Sequence, residues 1–134
     1  PWIGRRWIIN AIDEGSLETV SWMLSKGIDL SFSDEEGRTP LLAALDRCSD
    51  DHGQVLQVLI KHGAPVDAQG WNDWTPLHMA AAYNDVEALR LLLAAGANPN
   101  VRTRIDNCAT AFETAKLHRH REAMNVLDEH ITRG

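Results

Sequence analysis

The sequence predicts an all-α protein assembled from tandem helix pairs. Three observations lead there: a segment that recurs, threonine-proline pairs that open helices, and glycines that close them. Gly37-Arg38-Thr39-Pro40-Leu41 is followed 36 positions later by Asp73-Trp74-Thr75-Pro76-Leu77, and each precedes an alanine-rich stretch. Recurrence at such a period signals stacked repeats, in which each unit buries its apolar face against a neighbour. Thr39 and Thr75 suit the N-cap, and Pro40 and Pro76 suit the first helical position, where a missing N–H costs nothing.

Taken in order, the first copy runs from Arg6-Trp7-Ile8-Ile9-Asn10-Ala11 through Val20 and Trp22-Met23-Leu24 to Gly27. Trp7 and Trp22 fall at the register of core residues and are expected to pack inside. The second runs from Thr39-Pro40-Leu41-Leu42-Ala43-Ala44 through Leu56 and Val58-Leu59-Ile60 to Gly63. Gly63 lies 24 residues after Thr39, against 21 from Thr75 to Gly96, so this copy carries three extra residues within 46–53. The third runs from Thr75-Pro76-Leu77-His78-Met79-Ala80-Ala81 through Val86, Leu89 and Leu91-Leu92-Leu93 to Gly96. Val86, Leu89, Leu92 and Leu93 form one apolar stripe at helical spacing, as do Leu56, Leu59 and Ile60. In the fourth copy Thr110 and Glu113 have capping-box spacing, Val126-Leu127 continue the stripe, and Asp128 stands where the others have Leu24, Ile60 and Leu93. Gly63 and Gly96 sit where a helix ends in the left-handed region, and Gly37 sits in the turn before the next helix. Asp73 replaces that turn glycine, a conformation Asp visits more readily than most residues. The copies cover roughly 1–33, 34–69, 70–102 and 103–134, within one domain.

Thr75-Pro76-Leu77-His78-Met79-Ala80 resembles the T-P-L-H-x-A signature of the ankyrin family, whose repeat is about 33 residues long. The second copy lacks only the His. The resemblance implies an all-α ankyrin-repeat solenoid of four stacked helix-turn-helix repeats joined by β-hairpin loops, with the terminal repeats acting as caps. It makes His78 a structural residue that hydrogen-bonds around its turn. It also implies that a partner protein meets a concave face of hairpin tips and first helices. By position the tips are Trp2, Ile3 and Arg5, then Glu35, Glu36 and Arg38, then Trp71, Asn72 and Trp74. In the fourth copy, with its longer hairpin, they are Arg104, Asp106, Asn107 and Ala109. The first-helix ends add Asp13, Glu14, Asp46, Arg47, Ala82, Tyr83, Leu117 and His118.

Composition bounds the partners. The 134 residues are 44% hydrophobic, enough for a continuous but narrow core, and no apolar run reaches the length of a membrane span. No signal-peptide pattern opens the chain, so the expected setting is cytoplasmic. The start at Pro1 without a Met reads as an excised piece. Cys48 and Cys108 occupy non-equivalent positions and read as reduced thiols rather than a disulfide. The net charge is −6, and residues 34–68 hold seven acidic side chains against three basic ones. That balance opposes nucleic acid and suits a partner protein with a basic surface, although a merely solvated face explains it equally. The basic run Lys116-Leu117-His118-Arg119-His120-Arg121 stands apart near the C-terminus.

No arrangement for chemistry emerges. None of the six histidines forms a two-His helical motif with an acidic partner, and His118 and His120, two apart, would diverge on a helix. Asp13-Glu14 and Asp50-Asp51 are adjacent carboxylates without a nucleophile, Gly-rich loop or metal cluster beside them. The expectation is a monomeric binding module that is not an enzyme and uses no cofactor or metal. Trp71, Trp74 and Tyr83 are its candidate anchors, since aromatic residues dominate interface energies; the plain alternative is that they fold over neighbouring alanines. Two narrower readings stand beside this one: a bacterial inhibitor or immunity protein that masks a toxin or enzyme, and a scaffold module of a longer chain.

Overall fold

The computed structural model describes residues 2–28, 30–33, 36–47, 50–70, 73–103 and 108–133, with the backbone alone for 2–6 and 133. Among them lie eight helices and no strand: α1 Trp2–Glu14, α2 Leu17–Leu24, α3 Pro40–Leu45, α4 His52–Lys61, α5 Pro76–Ala82, α6 Val86–Ala94, α7 Ala111–Leu117 and α8 Arg121–Arg133. None is long and apolar enough to cross a membrane.

The starts are the ones written in the sequence. The Thr39, Thr75 and Thr110 hydroxyls accept from the backbone N–H of Leu42, His78 and Glu113, and Pro40 and Pro76 follow their caps directly. Glu113 completes its capping box by accepting from Thr110 N at 3.3 Å. The stops agree as well: Gly27, Gly63 and Gly96 have φ of 75°, 89° and 93°. A further register emerges two residues before each cap. Gly37 (φ 82°), Asp73 (φ 60°) and Cys108 (φ 50°) are all left-handed, so a cysteine occupies a conformation that glycine adopts without strain. The three extra residues of the second copy lie between α3 and α4, where 46–51 intervene against 83–85 between α5 and α6.

The chain forms two compact units, Pro1–Pro65 and Val66–Gly134, each containing two helix pairs. In the first, α1 packs on α3 and α2 on α4; in the second, α5 packs on α7 and α6 on α8. Ile8, Ile12, Val20, Leu41, Leu42, Leu56 and Leu59 fill the first core, and Leu77, Leu89, Leu92 and Leu127 the second. Each such side chain contributes about 1.5–3 kcal/mol when taken from water. Buried Ala43, Ala44, Ala80, Ala81 and Ala115 let first helices approach closely.

Three expectations are corrected. Trp7 and Trp22 are 65% and 62% exposed. Trp22 lies about 200° around α2 from buried Val20, and Trp7 about 100° around α1 from buried Ile8, so burying those neighbours turns both rings outward. Lys26 Nζ sits 5.1 Å from the Trp22 ring centroid instead. Secondly, Trp2, Ile3 and Arg5 belong to the first turns of α1 rather than to a hairpin tip, because the helix continues through Gly4-Arg5 where Gly37-Arg38 turns. Thirdly, His118 and His120 do not diverge. Arg119 (φ 59°) breaks the helix between them, and their rings stack 5.7 Å apart at 22°.

Candidate protein-binding surface

In the first unit, Asp13, Arg38 and Arg47 are tied to the fold. Arg38 Nη1 donates to both carboxylate oxygens of Asp13 at 3.1 Å, linking the turn before α3 to the end of α1. Its Nε lies 3.5 Å from the Glu36 carboxylate. Arg47 is committed further: its side chain is 7% exposed, Nε and Nη2 donate to the two oxygens of Asp51 at 2.8 and 3.2 Å, and Nη1 donates to Ile12 O at 2.7 Å. Its candidacy as a presented contact is therefore corrected, since a buried guanidinium needs these acceptors. Asp51 precedes α4 but makes no side-chain cap, its carboxylate being taken by Arg47. Glu14, Glu36, Asp46 and Asp50 remain exposed. Glu35 lies outside the described residues.

In the second unit, His78, Gln69, Asp67 and Arg102 hold the loops. Thr75 N donates to His78 Nδ1 at 3.2 Å, which leaves Nε2 carrying the ring proton to donate to Ala109 O at 2.8 Å. Burial pushes His78 below its ordinary value near 6.5, against smaller upward effects of the Ala109 carbonyl and Asp73. The ring thus joins the N-terminus of α5 to the loop before α7. Gln69 Nε2 donates to Asp73 O at 3.0 Å and Arg102 O at 3.2 Å, and Asn98 N donates to Asp67 Oδ1 at 2.9 Å. The loops turn back through Gly70 N to Trp74 O and Thr103 N to Ala109 O without extending into strands among the described residues.

These ties place the aromatic candidates. Trp74 is half-buried immediately before the Thr75 cap, whereas Tyr83, the C-cap of α5, is 49% exposed. Seven helical residues separate them, a span of about 10 Å. His118 and Leu117 occupy the matching end of α7, both exposed. Trp71 and Asn72, with Arg104, Asp106 and Asn107, lie outside the described residues. Cys108 carries an exposed free thiol, and Cys48 is likewise undescribed. Among the described residues no group of three or more His, Cys, Asp or Glu side chains could hold a metal ion. The sequence reading missed exposed Trp7 and Trp22; the helical phase of Trp22 against Val20 and Leu24 was the available signal.

Comparison with known proteins agrees with the repeat. The family described as Ankyrin repeats (3 copies) matches residues 8–103. XBAT34 of Arabidopsis thaliana, provisionally named as an E3 ubiquitin-protein ligase, is 32% identical over 126 residues, covering 92% of this chain and 32% of its own length. The ankyrin repeat and KH domain-containing protein mask-1 of Caenorhabditis elegans is 32% identical over 130 residues, covering 96% of this chain and 5% of its own. The SH3 and multiple ankyrin repeat domains protein 2 of Homo sapiens is 37% identical over 87 residues, covering 64% of this chain and 5% of its own. The chain thus spans at most about a third of the length of these relatives. Ankyrin repeats are in general protein–protein interaction modules and typically not enzymes.

Proposed function

The chain belongs to the ankyrin-repeat family, and on that premise we propose that it acts by stoichiometric association with another protein and catalyses nothing itself. The observation that carries this reading is the pair of aromatic side chains at the two ends of α5: Trp74 before its cap and Tyr83, 49% exposed, after its last turn. A seven-residue helix has no folding need for large rings at both ends, and rings of this kind anchor interfaces. Glu14, Glu36, Asp46 and Asp50 in the first unit favour a partner with a basic surface, which they would steer at low salt. The test replaces Trp71 and Trp74 by Ala and measures partner capture from native lysate beside circular dichroism. Capture falls while the helical signal stays; a well-folded double mutant that captures as before removes the reading.

A second reading, a recognition module within a longer polypeptide, is favoured by one observation. Relatives match along nearly all of this chain but over only 32% or 5% of their own length. Their names describe those whole proteins; for this chain, only partner recognition is carried over.

A further inference from the structure

The turn from α7 to α8, with the end of α5 beside it, carries charge opposite to that of the chain as a whole. Lys116, Arg119 and Arg121 are exposed there. None has a side-chain hydrogen bond or ion pair to the described residues, whereas Arg38, Arg47 and Arg102 all have acidic partners. Leu117, 65% exposed, lies among them, and Tyr83 adjoins them. That adjacency is built by hydrogen bonds: His120 Nδ1 donates to Ala81 O at 2.9 Å, and Ala123 N donates to Asn84 Oδ1 at 3.2 Å. His118 Nδ1 donates to Thr114 O at 2.9 Å, and its ring stacks on His120, so the turn is ordered before any partner arrives. The nearby acids are Glu122, which accepts from Asn84 Nδ2 at 3.2 Å, and Asp85, which caps α6 at Ala88 N.

We propose that this edge of the second unit docks an acidic amphipathic segment of a partner protein. Its carboxylates pair with Lys116, Arg119 and Arg121, and its apolar side chains cover Leu117 and Tyr83. The proposal rests on the reading of the chain as a binding module and adds a second surface, of opposite charge preference to the first unit. Free cations attract a polyanion of either kind, but exposed Leu117 and Tyr83 offer apolar area that a phosphate backbone does not use.

The test titrates the full chain with a fluorescent peptide of alternating Glu and Leu, its Lys-for-Glu counterpart, and a single-stranded oligonucleotide, following anisotropy at two salt concentrations. The acidic peptide binds and weakens with salt, and R119E/R121E lowers its affinity roughly tenfold or more, as expected for opposed charges at a contact. L117S weakens it with an unchanged salt slope and leaves binding of the Lys peptide unaltered. Failure of the acidic peptide to bind, indifference to both variants, or tighter binding of the oligonucleotide overturns the proposal. Trp74 stands at the other end of α5 from Tyr83, so its replacement reports on the broader reading independently.

Discussion

The two units solve one problem, tying neighbouring helix pairs together, with different chemistry. In the first, guanidinium groups do it: Arg38 reaches Asp13, and Arg47 reaches Ile12 O and Asp51. In the second, His and Asn side chains reach backbone groups, His78 to Ala109 O, His120 to Ala81 O and Asn84 to Ala123 N, beside a single described guanidinium tie from Arg102 to Cys108 O. The consequence reaches the surface. Arg38 and Arg47 of the first unit are consumed by the fold beside exposed carboxylates, whereas Lys116, Arg119 and Arg121 of the second are exposed and make no side-chain bond to the described residues. A charge count along the sequence does not distinguish a structural arginine from an available one.

The largest effect that would break this contrast is loss of Arg47. Arg47→Ala removes three charge-assisted bonds, two to Asp51 and one to Ile12 O, so the first unit loses about 3 kcal/mol. Hydrogen exchange should accelerate in α1 and α3 and stay unchanged in α5 and α7; equal acceleration throughout would refute separate ties.

His78→Ala is expected to cost the second unit about 1–2 kcal/mol, since Thr75 N loses its partner and Ala109 O keeps only Thr103 N. The pH dependence sharpens it. His78 is lowered in the folded state, so the unfolded chain binds the proton first as pH falls. Stability is whole above the ordinary value near 6.5 and is lost as pH falls from there toward the folded value, by at most about 1.4 kcal/mol per pH unit. Urea melts at pH 7.5 and pH 5.5 read this directly, and the slope assigned to His78 should vanish in the variant. An identical acid slope in wild type and variant would place the effect elsewhere.

The smallest effect concerns the turn register shared by both units. Cys108→Gly relieves a left-handed non-glycine residue and should stabilise by about 0.5–1 kcal/mol, net of the entropy a glycine adds to the unfolded chain. A lower melting temperature in the variant would show that the Cys108 side chain contributes more than its strain costs.

The legible parts of the fold were those decided within one turn of chain. Caps at Thr39, Thr75 and Thr110, proline starts and glycine stops depend on neighbours three or four residues away, so the threonine register located six of the eight helices closely. The site was less legible. Tyr83 followed from that register, but exposed Trp22 did not, because equivalence to Leu91 and Val58 was read as burial when both are only half-buried. Arg47 resembled a surface cation until Ile12 O, 35 residues away, was seen to accept from it.

By itself the sequence determined the repeat, its helix boundaries and the residue types at each turn, because capping and left-handed stops are local interactions. Only the tertiary structure decided which tryptophans face water, which arginines are spent and which cations stay free. Those outcomes depend on groups 25 to 39 residues apart that meet only when helix pairs pack.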